Sequence, residues 1–190
     1  MRTRKKVLGL IPMMILWAMA CVIGWSWVFT FLTDTDAAHK VTLFVDAEVP
    51  GETELASALE KNLPEGIRMV KVHPFSYALM DDSELRAADL YILRESQMET
   101  YRDWLRPLPE NMPYAETALR MDGAAWGLPA YLCDESCVAV AGSCIRYSMP
   151  GKEKEAFYLC FGKHSLHMAG NEGAVDDAAV TVALELLALR

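Results

Sequence analysis

Four cysteines and two histidines in the second half of the chain are the side chains best suited to chemistry. Cys133 and Cys137 have three residues between them, and Cys160 precedes the pair His164 and His167. Thiolate and imidazole are ligands that zinc prefers, and these residues are enough for a tetrahedral site. Their spacing matches no recognised zinc finger, and imidazoles between a loop and a helix more often make ordinary hydrogen bonds. We therefore predict no metal site and no cofactor.

The same cysteines could form disulfide bonds, provided that the domain lies in an oxidising compartment. Two bridges are compatible with a short antiparallel meander in this region. One joins Cys144 to Cys160 across the turn between their segments, and the other joins Cys133 to Cys137 across a three-residue turn. Reduced thiols in the core are the alternative. We expect the disulfides, the first with more support than the second.

Sequence motifs for catalysis are missing. The chain has no Gly-rich phosphate loop, no G-x-S-x-G elbow, no H-E-x-x-H and no zinc-deaminase pattern. Ser143 and Cys144 follow a glycine but have no identifiable base. The net charge is −8, and because four cations lie in the first six residues, the remainder is still more acidic. Such a charge works against binding nucleic acid or an anionic lipid surface. We predict a non-enzymatic protein that does not bind nucleic acid.

The elements that must position these residues alternate between strand and helix. Strands are predicted at Val41–Asp46, Ile67–Val72 and Ala88–Leu93, each followed by a helix, at Glu52–Asn62, Ser76–Ala87 and Ser96–Leu105. This order is typical of a parallel sheet with helices on its faces. After Asp122 the β segments Gly127–Cys133, Cys137–Tyr147 and Ala156–Phe161 predict a small antiparallel meander, and Val175–Leu189 a last helix. The predicted fold class is α/β, a parallel-type layered sheet with flanking helices plus the meander.

An apolar run precedes this domain. Residues Val7–Leu32 carry no charge and are more than the ~20 residues that a helix needs to cross a bilayer. The cations in residues 1–6 predict that this end is a cytoplasmic tail. Residues 33–40 are then a short spacer, and residues 41–190 form an extracytoplasmic domain. A cleaved signal peptide is the rival, but its apolar region would be shorter; Ala18–Cys21 only loosely resembles a lipoprotein cleavage box. We expect a single-pass signal-anchor in the cell membrane, with the membrane as a partner.

Three segments together carry a family resemblance. They are the opening strand Lys40–Asp46, the strand and polar loop Ala88–Ser96, and the turn into an apolar strand at Met121–Tyr131. They resemble the extracellular solute-binding proteins of bacterial ABC importers, and the chain looks like a shortened relative in which the second lobe is missing. The resemblance implies a transport function, a small solute as ligand, and a membrane or transporter protein as partner.

The candidate binding residues follow from the predicted sheet, because ligands of open α/β sheets bind beyond the carboxyl ends of the strands. These residues are Asp46, Arg94, Glu95, Ser96, Trp126 and Tyr131. Aromatic rings could stack on a sugar or cover an apolar ligand, and carboxylates could hold a hydroxyl or an amine. The alternative is that the carboxylates are caps or solvated charges and that the tryptophan fills core volume. We predict that the domain binds a small solute or a neighbouring protein; the alternative is a structural or protein-interaction module that has lost small-molecule binding.

Overall fold

The computed structural model describes residues 2–33, 36–74, 85–109, 112–132, 139–147, 154–168 and 177–189, with the side chains of the first helix described over 12–28. The chain divides into two compact units, Met1–Thr35 and Asp36–Arg190. The first unit is helix α1, Arg2–Thr33, which contains Pro12. Among the described residues, no helix is both long enough and apolar enough to cross a membrane. The transmembrane helix predicted at Val7–Leu32 is therefore not supported, and this part of the expected fold class is corrected.

The second unit is built on one mixed sheet of seven strands. The strands are β1 Lys40–Val45, β2 Met69–Pro74, β3 Leu90–Arg94, β4 Leu105–Arg106, β5 Leu119–Met121, β6 Ala124–Tyr131 and β7 Phe157–Gly162. Their order across the sheet is β2-β1-β3-β7-β6-β5, with β4 also paired to β7. Two α-helices of this unit lie wholly within the described residues: α2 Glu52–Leu59 and α3 Ala178–Ala188.

One half of the sheet is parallel and the other is antiparallel. Strand β1 lies between β2 and β3 and is parallel to both, with Val45 opposite Ile92. Strand β7 runs antiparallel to β3 and places Phe157 opposite Arg94. Strand β6 is antiparallel to β7, and Tyr131 pairs with Phe157. The ends of β1, β3 and β6 and the start of β7 therefore meet at one end of the sheet, which we call the carboxyl end. The opposite end, where β1 and β3 begin, is the amino end.

Alternating side chains of the strands build a core on each face of the sheet. Leu43, Ile92 and Leu159 face α2 and α3 and belong to the larger cluster. Phe44, Tyr91 and Cys160, one position away from them, belong to a smaller cluster on the other face. Helix α2 contributes Leu55 and Leu59 to the larger cluster, and the inner face of α3 contributes Val182, Ala183 and Leu186.

The expected arrangement of the sheet is also corrected. The predicted meander does not form a separate unit, because β6 and β7 join the parallel strands in one sheet. Segment Cys137–Tyr147 was predicted as a strand, but its described part, from residue 139, consists of turns with isolated bridges Glu48–Arg146 and Tyr131–Ala139. The helix predicted at Ser96–Leu105 is replaced by two short 3₁₀ helices, Glu95–Gln97 and Arg102–Trp104. The helix predicted at Ser76–Ala87 lies largely outside the described residues.

Candidate functional site

An ion pair between Asp46 and Arg94 is the central feature of the carboxyl end. Asp46 directly follows β1, and its backbone N–H donates to the Ile92 carbonyl of β3 at 2.8 Å. Arg94 is the last residue of β3, and its Nε and Nη2 donate to the two Asp46 carboxylate oxygens at 2.7 and 2.9 Å. The carboxylate side chain is 6% exposed and the arginine side chain 26%. The planar fork of the guanidinium thus holds a nearly buried carboxylate, while part of the arginine reaches solvent.

Three aromatic rings lie beside this ion pair on the same face of the sheet. Phe157 is the register partner of Arg94, and Tyr131 pairs with Phe157 from the other side. Tyr147 stacks on Tyr131 with 5.0 Å between ring centroids and an angle of 9°, and it meets Phe157 edge-on at 5.1 Å. Its hydroxyl donates to the Val140 carbonyl at 2.7 Å, and burial raises the pKa of Tyr147 well above its ordinary value. We call these residues, Asp46, Arg94, Tyr131, Tyr147 and Phe157, the carboxyl-end cluster.

Polar side chains surround the cluster at the surface. The Ser96 hydroxyl, in the 3₁₀ helix after β3, donates to Glu155 Oε2 at 2.7 Å. Glu48 accepts a hydrogen bond from Arg146 Nη1 at 2.9 Å, and both side chains are about half exposed. Glu95 is exposed and lies near Tyr158 on the opposite face, where burial and the charge of Glu95 raise the pKa of the phenol.

Trp126 does not lie with the other candidate residues. It is near the start of β6, whereas Tyr131 is its last residue, and Trp126 packs against the smaller cluster on the opposite face. Its indole N–H donates to the Met121 carbonyl at 3.1 Å, and the Arg102 guanidinium lies 5.6 Å from its ring centroid. The structure therefore brings together Asp46, Arg94 and Tyr131 at the carboxyl end, with Glu95 and Ser96 at its margin, and places Trp126 elsewhere.

The expected disulfide between Cys144 and Cys160 is wrong, since both cysteines are free thiols. Cys160 is fully buried on β7, its Sγ lies 3.5 Å from Met98 Sδ, and burial raises the pKa of this thiol. Cys144 lies in a turn and packs against the larger cluster on the other face of the sheet. Its backbone carbonyl accepts a hydrogen bond from the Gly51 N–H. The sheet separates the two sulfur atoms. Cys133 and Cys137 lie outside the described residues, so their bridge stays a prediction.

A second polar group lies at the amino end and is almost completely buried. Asp89 directly precedes β3. Its Oδ1 accepts a hydrogen bond from the Ser165 hydroxyl at 2.6 Å and lies 2.9 Å from His167 Nδ1. Its Oδ2 accepts a hydrogen bond from the Thr42 N–H at 2.8 Å. His167 Nε2 lies 3.1 Å from the Ala38 carbonyl oxygen. We call Asp89, Ser165 and His167 the amino-end network; their exposures are 3%, 0% and 1%.

The hydrogen bonds of this network favour the protonated form of His167. Both oxygens of Asp89 accept hydrogen bonds. The two ring nitrogens of His167 lie within hydrogen-bond distance of two acceptors, Asp89 Oδ1 and the Ala38 carbonyl oxygen. Burial acts to lower the pKa of His167, but the hydrogen bond and charge of Asp89, with the Ala38 carbonyl, outweigh it and raise the pKa above 6.5.

The network has the residue types of a hydrolase triad but not its connections. A nucleophilic serine needs a hydrogen bond to a neutral histidine that can accept its proton. Here Ser165 donates to Asp89 instead, and the two ring nitrogens of His167 lie against Asp89 and the Ala38 carbonyl, not against the serine hydroxyl. The serine is also completely buried. This geometry favours a structural role. Among the described residues, no group of three His, Cys, Asp or Glu side chains could hold a metal ion.

Sequence reasoning missed several residues of both groups. Tyr147 and Phe157 are 16 and 26 residues beyond Tyr131 in the chain. Only the pairing of β6 with β7 and the packing of the Tyr147 ring against both bring the three rings together. Asp89 and His167 are 78 positions apart. A signal for Asp89 is present in the sequence, since an acidic residue directly before a buried apolar strand needs a partner. No comparable signal identifies His167.

No protein-family model matches this chain, and no curated protein sequence matches it. Among solved structures, the chain is similar to thiaminase I from Bacillus thiaminolyticus, with a TM-score of 0.32 and 17% sequence identity. The match covers 47% of this chain and 28% of that chain. A likeness of this size carries no argument about the fold or the activity of this chain.

Proposed function

We propose that the second unit is a solute-binding-like domain that binds a small polar solute at the carboxyl-end cluster, without catalysis. The observation that carries the proposal is the Asp46–Arg94 fork, which leaves about a quarter of the arginine side chain exposed. It lies at the ends of two adjacent parallel strands, where α/β sheets bind their ligands. The fork fixes the guanidinium plane in advance, so a ligand meets an ordered cation.

The surroundings of the fork suggest the class of solute. Tyr131, which is half-buried and stacked on the buried Tyr147, offers an apolar surface beside the cation, and Ser96 and Glu155 add a hydroxyl and a carboxylate at the rim. A few fixed polar groups next to aromatic rings suit a solute with hydroxyl, amine or carboxylate groups on a compact apolar body. Sugars and amino acids are solutes of this kind.

A thermal-shift screen of the full chain against sugars, amino acids and short peptides tests this proposal, because a ligand that binds only the native state raises the melting temperature by mass action. Arg94→Gln and Tyr131→Leu should each reduce the shift strongly. The Arg94→Lys variant keeps the positive charge but loses the planar guanidinium fork. We therefore expect this variant to bind the solute at least about tenfold more weakly than the original protein does. Arg120→Gln, on the exposed surface of β5, is the matched control and should keep the full shift.

Two results would contradict the proposal. One is a shift that survives Arg94→Gln and Tyr131→Leu unchanged. The other is a domain that melts cooperatively and responds to none of the solutes, which would favour the alternative of a structural or protein-interaction module. A transporter or another neighbouring protein as partner, and a location outside the cytoplasm, stay predictions from the sequence.

A further inference from the structure

Glu155 differs from Asp46, the acid of the central ion pair at the carboxyl end. Asp46 is nearly buried, and Arg94 holds both of its oxygens. Glu155 is half-buried, and its Oε2 accepts a hydrogen bond from the Ser96 hydroxyl at 2.7 Å. Within the part of the chain that the structure describes, Glu155 forms no ion pair, not even with its exposed neighbour Lys154, and its Oε1 accepts no hydrogen bond. This carboxylate therefore has an acceptor oxygen and a negative charge available to a ligand.

Glu155 lies on the same face of the sheet as the carboxyl-end cluster. Phe157 belongs to the larger cluster and Ala156 packs against the smaller one, so the residue before Ala156 returns to the face of Phe157. Arg94 is the register partner of Phe157, and a backbone hydrogen bond to the Ala156 carbonyl continues the pairing of the two chain segments beyond them. The bond between Ser96 and Glu155 is the next contact along this path.

The spacing along this face suits a compact solute. Side chains two residues apart on one face of a strand are separated by about 7 Å. A small solute that makes a hydrogen bond of about 2.9 Å at each of its ends covers such a separation with only a few atoms between them. A solute bound at Arg94 beside Tyr131 therefore also reaches Glu155.

An ammonium group matches the free oxygen of Glu155 better than a hydroxyl does. Oε1 of a carboxylate only accepts hydrogen bonds, and an ammonium group only donates them. A hydrogen bond between two ionised groups is shorter and stronger than one that involves a neutral donor. The carboxylate also repels a second negative charge, so the acidic end of a solute is directed away from Glu155 and toward Arg94.

We propose that the solute carries a protonated amine and that Glu155 binds this amine through Oε1, so that the ligands are amino acids or related organic amines and not sugars. This inference rests on the solute site proposed above. The Ser96 hydroxyl keeps its bond to Oε2 and orients the carboxylate. The opposite end of the solute lies at Arg94, beside the ring of Tyr131.

Titration calorimetry of the full chain with matched pairs of solutes tests the inference. L-Phenylalanine is compared with L-phenyllactate and L-alanine with L-lactate, because in each pair a hydroxyl replaces the amine and the rest of the molecule is unchanged. Glucose serves as a solute without either charge. At least one amino acid should bind about tenfold or more tightly than its hydroxy acid, since a charge-assisted hydrogen bond is lost in the exchange.

Glu155→Gln identifies the residue that reads the amine. Glutamine keeps an oxygen that can accept from Ser96, but it has no charge. The amino acid should bind this variant about tenfold more weakly, whereas the hydroxy acid should bind no more weakly than before. Glu65→Gln makes the same change in an exposed turn before β2, at the amino end of the sheet, and is the matched control that should bind like the original protein.

Melting curves without ligand show that each variant is folded before affinities are compared. Equal affinities for an amino acid and its hydroxy acid, both lost in Arg94→Gln, would reject the amine and leave the proposed solute site in place. Binding of glucose alone would have the same meaning. A preference for the amine that persists in folded Glu155→Gln would reject the role of Glu155. If no solute binds, both the solute site and this inference are overturned.

Discussion

The two ends of the sheet each hold an acid–base pair, and the pairs differ in how far water reaches them. At the carboxyl end, Arg94 is a quarter exposed and holds a nearly buried Asp46. At the amino end, Asp89 and His167 are both almost fully buried and have further partners in Ser165 and Thr42. A partly exposed pair can exchange a contact for a ligand, whereas a fully enclosed network loses stability when any member is removed. The comparison supports the binding role that we propose for the first group and a contribution to the stability of the fold for the second.

The largest effect should come from Asp89→Ala. Removing one partner of a buried ion pair leaves the other charge uncompensated and costs about 3–5 kcal/mol. Asp46→Ala should cost less, about 1.5–3 kcal/mol for hydrogen bonds to a charged group, because Arg94 can turn toward water. Urea unfolding of the full chain at neutral pH measures both values. Equal losses would mean that the difference in exposure does not decide the roles of the two ends.

A glycine at the amino end should give the next largest effect. The Gly162 N–H donates to the Asp89 carbonyl at 2.8 Å, and a Cβ at this residue would lie only 1.9 Å from the Ala88 carbonyl oxygen. Gly162→Ala must displace backbone and should cost about 1–3 kcal/mol or more. Gly142→Ala is the control in the turn near the carboxyl end, where the nearest atom, Ala139 Cβ, would be 3.3 Å away. A similar loss in both variants would contradict the close approach.

The amino-end network should also make stability depend on pH. The pKa of His167 is raised in the folded state, so its contribution is fully present below the unfolded value near 6.5 and is lost as pH rises through the folded value. The free energy of unfolding should therefore decrease above about pH 6.5. His167→Gln should flatten this decrease. Identical slopes for the two proteins, measured by urea unfolding at each pH, would show that His167 is not the titrating group.

Parts of this architecture can be predicted from the sequence because they depend on local pattern. The strands predicted at Val41–Asp46 and Ala88–Leu93 lie within two residues of β1 and β3, since short apolar runs suffice to identify buried strands. The prediction of a helix at Ser96–Leu105 also relied on local spacing, and it was wrong. Met98, Tyr101 and Leu105 recur at helical spacing, but tight 3₁₀ turns also bring residues three apart to one face.

The sites were harder to predict because they depend on distant pairing. The sequence selected Asp46, Arg94 and Tyr131 from their positions at strand ends, and these residues lie at one end of the sheet. The same reasoning placed Trp126 with them, but Trp126 and Tyr131 are separated by the length of β6 and by the two faces of the sheet. The Cys144–Cys160 bridge failed similarly, since it assumed a hairpin register that the turns at 140–144 do not form. One residue of error in register moves a side chain to the opposite face.

The smallest effect separates two ion pairs within the carboxyl end itself. Glu48 and Arg146 are 2.9 Å apart, but their side chains are 51% and 58% exposed, so solvent screens the attraction. A double-mutant cycle with Glu48→Gln and Arg146→Gln should give a coupling free energy of at most about 1 kcal/mol, and it should fall further in high salt. The same cycle on Asp46 and Arg94 should give a larger coupling that depends less on salt, because that carboxylate is nearly buried and is held by two parallel bonds. Equal coupling free energies would mean that the Asp46–Arg94 pair is no more ordered than a surface ion pair. The proposal that Arg94 is a prearranged cation for ligand binding would then lose its physical basis.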